Sequence, residues 1–495
     1  MNQDKNTPRI VIAGTKGGAG KTIVALGITR ALSNRGLKVG TFKKGPDYID
    51  AKWLAMAARR PCHNLDPFLM DRETILESFS YRARGMDVCV VEGNRGLFDG
   101  VDIEGTSSTA ELAKLLAAPV IVVIDCTKTT RTIAAIALGL KSFDKELDLR
   151  GVILNQIGGP RHESIVTKSI RTYTGLDVLG VIPRQRKDPI PMRHLGVTPV
   201  EEHPDAESSL EHLAEIMENR VDLNAILDIA NKAPQMPGPK KTAPAPLREN
   251  GCGFPKGLRI GILMDHAFQF YYPENIEAIG ALGAETVFID ALSTPKLPEI
   301  DLLYIGGGFP ETQAEALAKN DSFRATLKTA IEDGLPVYAE CGGLMYLGDA
   351  IIFNGARYPM VGAIDFEFII EKRPQGHGYS ILKVEHPTPF YEEGVTLYGH
   401  EFHYSRPVRL KGPPKAHLAC KVIRGHGIID KGEGVTYKNV FATYTHIHAL
   451  QQRDFGLRLV RAAKSFKESR VKASSTHRSD RLQSIGNRED RKNCS

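Results

Sequence analysis

Residues 10–22 read Ile-Val-Ile-Ala-Gly-Thr-Lys-Gly-Gly-Ala-Gly-Lys-Thr, and three segments can be told apart within them. Ile10 to Ala13 is an apolar run of strand length. Gly14, Thr15, Lys16, Gly17, Gly18, Ala19 and Gly20 make a glycine-rich turn, and Lys21 and Thr22 open an amphipathic helix that runs to about Arg35. Glycines let the backbone turn tightly, so that successive N–H groups converge on one point, and the helix N-terminus adds unpaired donors and the positive end of its dipole. Such a turn cradles phosphate. In it Lys21 reaches the terminal phosphates of a nucleotide and the Thr22 hydroxyl ligates Mg²⁺. Thr15 stands where the common phosphate-loop pattern has its first glycine, but the spelling Lys-Gly-Gly-Ala-Gly-Lys-Thr also occurs in a subset of such loops.

Outward from this loop, further apolar runs alternate with helical segments: Val39–Phe42, Val88–Val91, Val120–Ile124 and Gly151–Leu154. That rhythm predicts an α/β domain with a parallel sheet and helices on both faces, whose ligands bind beyond the C-terminal strand ends. The polar residues fall there. Lys43 ends the second strand and can meet phosphate or a substrate carboxylate. Asp47 and Asp50 follow, placed either to hold Mg²⁺ and shape an anionic transition state or as an ordinary solvated turn. Glu92 comes directly after Val-Cys-Val-Val, where phosphoryl-transfer enzymes keep a second Mg²⁺-directing carboxylate. Asp125, at the end of Ile-Val-Val-Ile, is a further strand-end candidate or only caps the following turn; Asn155, after Gly-Val-Ile-Leu, reads the base or is a satisfied strand-end amide.

Residues 232–257 are dense in Pro, Gly and Lys and have little to bury, which predicts a linker between domains at 1–231 and 258–466. Strands and turns then resume. In Leu335-Pro-Val-Tyr-Ala-Glu-Cys341-Gly-Gly-Leu-Met-Tyr-Leu a strand meets a helix through a small-residue turn with cysteine at its apex. This is a nucleophile elbow, in which the Gly342 N–H stabilises an oxyanion. A free thiol is only roughly 3% thiolate at neutral pH, so Cys341 needs a basic neighbour. Thr443-Tyr-Thr-His446-Ile-His448 offers two histidines on one face of a strand. His400, Glu401 and His403 are spaced three apart, not the four of a zinc-binding helix, and read as a substrate-facing or structural strand.

Composition narrows the classes. The 495 residues allow two or three domains, 42% hydrophobic and 25% charged is ordinary globular usage, and much of the formal charge of +6 lies in residues 464–495. The reading is therefore of a near-neutral body with no nucleic-acid partner, and of a basic, disordered tail at 467–495. The apolar runs are too short to span a membrane and the first strand begins too early for a targeting segment. Seven dispersed cysteines predict reduced thiols and a cytoplasmic location.

Taken together, these blocks resemble the cobyrinic acid a,c-diamide synthase family, which includes relatives acting on hydrogenobyrinic acid and nickel-sirohydrochlorin. The resemblance covers about residues 8 to 465 and rests on the phosphate loop, Phe42-Lys43 with Gly45-Pro-Asp47-Tyr-Ile-Asp50, Arg60-Pro-Cys-His-Asn-Leu-Asp66-Pro, Glu92-Gly with Gly96-Leu-Phe-Asp99-Gly, Phe270-Tyr-Tyr-Pro-Glu-Asn, Gly306-Gly-Gly-Phe-Pro-Glu, Cys341-Gly-Gly and His446. It implies a dethiobiotin-synthetase-like P-loop domain joined to a class I glutamine amidotransferase domain. The implied activity is ATP- and glutamine-dependent amidation of the a and c carboxylates of a corrinoid or tetrapyrrole acid through an acyl phosphate.

The resemblance also implies residue roles. Thr22, Asp47, Asp50 and Glu92 would serve metal and acyl-phosphate stabilisation, Gly308 and Gly342 the oxyanion, and His446 the base. Two positions depart from the pattern. Lys16 is more typical of ParA/MinD-like ATPases, whose switch function would leave Cys341 and His446 without a task. His448 stands where many class I amidotransferases carry glutamate, leaving the third triad role open. Cobyric acid synthases share the two-domain plan, but Gly-Pro-Asp-Tyr-Ile-Asp favours the a,c-diamide enzymes. Oligomeric state stays open, a homodimer included.

Overall fold

Seven apolar segments of the first half become strands: β1 (Arg9–Gly14), β2 (Val39–Lys44), β3 (Cys62–Leu65), β4 (Val88–Glu92), β5 (Val120–Asp125), β6 (Leu149–Ile157) and β7 (Asp177–Pro183). In the computed structural model, which describes residues 6–185, 190–193, 196–236, 243–248, 257–412 and 414–489, they lie in the order β3-β2-β4-β1-β5-β6-β7. Every neighbouring pair is parallel. Side chains are described for these residues other than 192, 193, 196 and those beyond 472. Strands β1 to β4 are buried throughout, as a sheet covered on both faces requires. The two edge strands, β3 and β7, carry no clear sequence signal: Cys-His-Asn-Leu is short and half polar.

Helix α1 (Lys21–Asn34) follows β1 and α2 (Ile49–Ala58) follows β2. Trp53 of α2 is fully buried with its indole N–H on the Thr198 carbonyl at 2.7 Å. The chain runs from β1 to β2 and β3 on one side, returns to β4 and then crosses β1 to β5 on the other, so the ends of β1, β2 and β4 open beside one another at the switch in strand order, where α/β sheets bind ligands.

The chain divides into two units, residues 1–244 and 245–495. The predicted linker lies partly outside the described residues, at 237–242 and 249–256. The second unit holds a small four-stranded sheet and a ten-stranded mixed sheet of β8 (Arg259–Leu263), β9 (Glu285–Ile289), β10 (Leu302–Ile305), β11 (Val337–Glu340), β12 (Gly376–Val384), β13 (Thr396–His403), β14 (His417–Arg424), β15 (Gly432–Tyr437), β16 (Val440–Thr443) and β17 (His446–Ile447). Its order is β9-β8-β10-β11-β16-β15-β14-β12-β13-β17. Alternate residues serve opposite faces: Leu303 and Ile305 join one core with Val337 and Ala339, Leu302 and Tyr304 the other with Tyr338.

The tail at 467–495 departs from its sequence reading. One helix runs from Phe455 to Glu489, and residues 490–495 lie outside the described part. Buried Phe455, Leu459, Val460 and Ala463 anchor its start, and Lys467 and Arg470 pair with Asp301 and Glu299. The rest of the segment has no proline and many good helix formers, so an anchored first half can propagate where charge alone suggested disorder.

Candidate active sites

In the first unit the loop from Thr15 to Gly20 joins β1 to α1. Gly20 caps the helix at φ +93°, and a Cβ there would lie 2.2 Å from Asn155 Nδ2, so glycine is required twice over. Asn155 donates from Nδ2 to the Ala19 carbonyl at 3.1 Å, while its Oδ1 accepts the Gln156 N–H at 2.9 Å. Its amide therefore braces the loop from the end of β6. Lys16 is largely exposed and pairs with Asp125 at 3.3 Å, which also accepts the Thr127 N–H.

Beneath the loop the parallel register sets Lys43 directly beside Glu92. The wholly buried Lys43 ammonium lies 2.8 Å from Asp50 Oδ2 and 3.1 Å from Glu92 Oε1, and donates to the Gly93 carbonyl. Thr22 donates its hydroxyl to the same Glu92 oxygen at 2.6 Å, with Lys21 Nζ at 3.8 Å. The predicted residues Lys21, Thr22 and Lys43 thus converge on the Glu92 carboxylate, and Asp50 joins them through Lys43. Asp47 is one step out, its Oδ1 accepting the Asp50 N–H at 2.9 Å.

Burial alone would discharge Lys43, but Asp50, Glu92 and Asp47 outweigh it and hold the ammonium charge well above its ordinary range. Burial also pushes Asp50 upward; Lys43 and then Lys21 reverse this and keep its carboxyl low. Burial raises Glu92, and burial with the neighbouring Asp50 raises Asp47 to about 7. Glu92 Oε2 is buried and accepts no hydrogen bond among the described residues, leaving a carboxylate oxygen for a cation or an ordered water.

Among the described residues no group of three or more His, Cys, Asp or Glu is arranged to hold a metal by itself. Mg²⁺ is usually held by one or two protein oxygens, with phosphates and water completing its shell. Thr22 and the carboxylates of Glu92 and Asp47 fit that donor set. Asn64, to which the sequence reading gave no role, donates to the Gly45 and Asp47 carbonyls and fixes the acidic turn.

In the second unit Cys341 sits between β11 and a short helix, Gly342–Leu347, at φ 46° and ψ −98°. This is strained backbone for a residue with a side chain, as an elbow demands. Its N–H is tied to the Thr443 carbonyl at 2.7 Å and its Sγ lies 3.8 Å from the Phe402 carbonyl. Burial pushes the thiol far up, with Glu311, Glu340 and Glu401 adding to it against the Gly342 N–H, so a base must take its proton. Gly308 and Gly342 are neighbours: a Cβ on Gly342 would lie 3.1 Å from the Gly308 nitrogen.

His446 comes so close to Gly307 that a Cβ there would meet its ring at 2.4 Å. Register places His400 opposite His446, and their rings stack at 4.9 Å. His446 Nδ1 is 3.4 Å from Glu340 Oε2. The strand carrying His446 ends at Ile447, and His448 beyond it has hydrogen-bond and ion-pair partners of its own: its Nδ1 accepts the Leu450 N–H and its Nε2 lies 3.6 Å from Glu274. Glu401 accepts the N–H groups of His426 and Gly427 and lies 3.8 Å from His403. The sequence reading assigned no role to Glu340 or Glu274. The signal for Glu340 was a charge ending the buried run Val-Tyr-Ala-Glu, the same signal that marked Glu92.

A phosphate loop floored by a lysine–carboxylate cluster in one unit, with an elbow cysteine and a histidine in the other, defines a glutamine-hydrolysing carbon–nitrogen ligase. Residues 10–197 match the CobQ/CobB/MinD/ParA nucleotide binding domain and residues 259–454 the CobB/CobQ-like glutamine amidotransferase domain. The chain is 41% identical to the cobyrinate a,c-diamide synthase of Archaeoglobus fulgidus, over 92% of its own length and 97% of the relative's. The enzymes of the same name from Magnetococcus marinus and Methanosarcina acetivorans are 41% and 37% identical, over 89% and 94% of this chain and 94% and 97% of theirs. The chain belongs to the cobyrinate a,c-diamide synthase family. Among its described residues no helix is long and apolar enough to cross a membrane.

Proposed function

We propose that this chain amidates the a and c side-chain carboxylates of cobyrinic acid, using ATP for activation and glutamine for nitrogen. The observation that carries the reading is the joint presence, in one chain, of the buried Lys43–Asp50–Glu92 cluster under a phosphate loop and the strained Cys341 elbow, whose preceding residue Glu340 lies 3.4 Å from His446.

A carboxylate oxygen of the macrocycle attacks the γ-phosphorus of ATP, and ADP leaves. The product is an acyl phosphate, which an amine can attack where the free carboxylate resists it. The loop N–H groups and Lys21 hold the phosphates, and Lys43, kept charged by its carboxylates, offsets charge on the transferring phosphoryl. Mg²⁺, when bound through Thr22, Glu92 and Asp47, supplies further neutralisation of phosphate oxygens.

In the second unit the Cys341 sulfur attacks the carboxamide carbon of glutamine while His446 accepts the thiol proton. The oxyanion rests on the Gly308 and Gly342 N–H groups, His446 returns the proton to the leaving nitrogen, and water later frees glutamate from the thioester. The released ammonia displaces phosphate from the acyl phosphate, and a second round completes the diamide. Cys62, Cys89, Cys126, Cys341 and Cys420 are all buried free thiols, in keeping with a cytoplasmic enzyme.

The test is incubation with ATP, Mg²⁺ and glutamine and, separately, cobyrinic acid, hydrogenobyrinic acid or nickel-sirohydrochlorin, following product mass. Two amidations of cobyrinic acid are expected. Faster diamidation of either other acid moves the substrate assignment, and ATP hydrolysis without amide formation on any of them sinks the reading.

A further inference from the structure

The acid that sets His446 is missing from its expected place, because the residue two positions on is His448. That histidine is committed elsewhere: accepting the Leu450 N–H at Nδ1 puts its proton on Nε2, which faces Glu274. A different carboxylate reaches His446. Glu340, the last residue of β11 and the one immediately before Cys341, brings Oε2 to 3.4 Å from His446 Nδ1, with both side chains almost wholly buried.

The Glu340 carboxylate is fixed at both ends. Oε1 accepts the Ile447 N–H at 3.2 Å, and Oε2 also accepts the Tyr304 hydroxyl at 3.3 Å. Tyr304 is itself hydrogen-bonded to Asn275, which reaches across to the Ile447 carbonyl. Parallel pairing of β11 with β16 sets Glu340 level with Thr443 and so holds the acid at the start of the segment that carries the histidine.

We propose that Glu340 is the positioning residue for His446, filling the third place of the cysteine–histidine pair from the strand before the nucleophile. This rests on the glutamine-hydrolysis reading above. Glu340 keeps the imidazole proton on Nδ1 and leaves Nε2 bare. When sulfur attacks the carboxamide carbon, the thiol proton passes to Nε2, and the imidazolium formed is stabilised by the Glu340 charge while Nδ1 keeps its own proton. That proton on Nε2 then goes to the departing nitrogen, which leaves as ammonia. The other ring stacked on His446 is His400, held neutral by burial and then by His446 and His448 themselves, so it cannot supply this negative charge.

Glu340→Gln keeps shape and hydrogen bonding and removes the charge. Glutamine hydrolysis is expected to lose on the order of a hundredfold or more, in kcat and not in KM, with the melting temperature held. A merely structural role would lower activity and melting temperature together. Hydrolysis within threefold of wild type, or a loss that tracks the melting temperature, overturns the proposal. A wild-type chain that releases no glutamate from glutamine overturns both the hydrolysis reading and this proposal.

Should Glu340→Gln fail to fold, the wild type decides. With ¹⁵N-labelled histidine, and His446 assigned by its loss in His446→Gln, the resonances are expected to show Nδ1 protonated and Nε2 bare. The opposite tautomer overturns the proposal.

Discussion

The phosphate loop and the cysteine elbow are both strand–turn–helix junctions, and in each a buried glutamate ends an apolar strand nearby. The surroundings of those two acids differ. Glu92 meets two ammonium groups and a hydroxyl, so charge is balanced inside the cluster. Glu340 meets an imidazole, a phenol and a backbone N–H, partners that carry no fixed positive charge. Phosphoryl transfer needs permanent positive charge, which two lysines supply. Thiol activation needs a proton that moves, and a lone carboxylate beside histidine permits it.

The sharpest way to break this contrast is to disable one unit at a time. Cys341→Ala is expected to lower glutamine-dependent amidation by about a thousandfold or more while amidation from free ammonium persists, both followed by product mass. Loss with both nitrogen sources would show that the two centres are not separable. Lys43→Met should do the reverse. Amidation from either source is expected to fall by on the order of a hundredfold, while glutamate release from glutamine continues. It also leaves Asp50 and Glu92 without their buried counter-charge, a loss of about 3–5 kcal/mol in stability readable by denaturant unfolding.

A smaller effect sharpens the contrast inside the second unit. Glu433 is a buried acid without a lysine, its Oε1 accepting the Gly434 and Tyr444 N–H groups, and burial raises it to about 7. The folded chain therefore keeps a proton that the unfolded chain gives up between about pH 4.5 and 7. Stability falls as pH rises through that window, by about 3 kcal/mol, and is level above it. Glu433→Gln keeps an acceptor without the charge and should flatten this dependence. Urea unfolding at the two ends of the window, read by circular dichroism, checks it; an unchanged slope would mean that Glu433 is charged in the fold.

Legibility in the sequence followed how local each feature is. The phosphate loop, the central strands and the elbow are contiguous patterns, and all of them could be read. Lys43, Asp50 and Glu92 were legible as strand-end polar residues, although only the β2–β4 register shows that Lys43 and Glu92 are partners. Glu340 and His446 meet through the pairing of β11 with β16 and of β13 with β17, and no spacing along the chain encodes that. Asn155 was read either as facing the base or as a satisfied strand-end amide, and its amide hydrogen bonds go to the loop backbone and to Gln156. The helix at Phe455–Glu489 was missed because charge density was weighed and the apolar anchor at its start was not.

The single tryptophan of the chain belongs to the first unit, sealed in the helix that begins two residues after Asp47 and carries Asp50 in its first turn. Light absorbed at the red edge of the protein spectrum is therefore emitted from one half of the molecule alone. Fluorescence and far-ultraviolet ellipticity, recorded on one sample, would separate the melting of that half from the melting of the whole without any label.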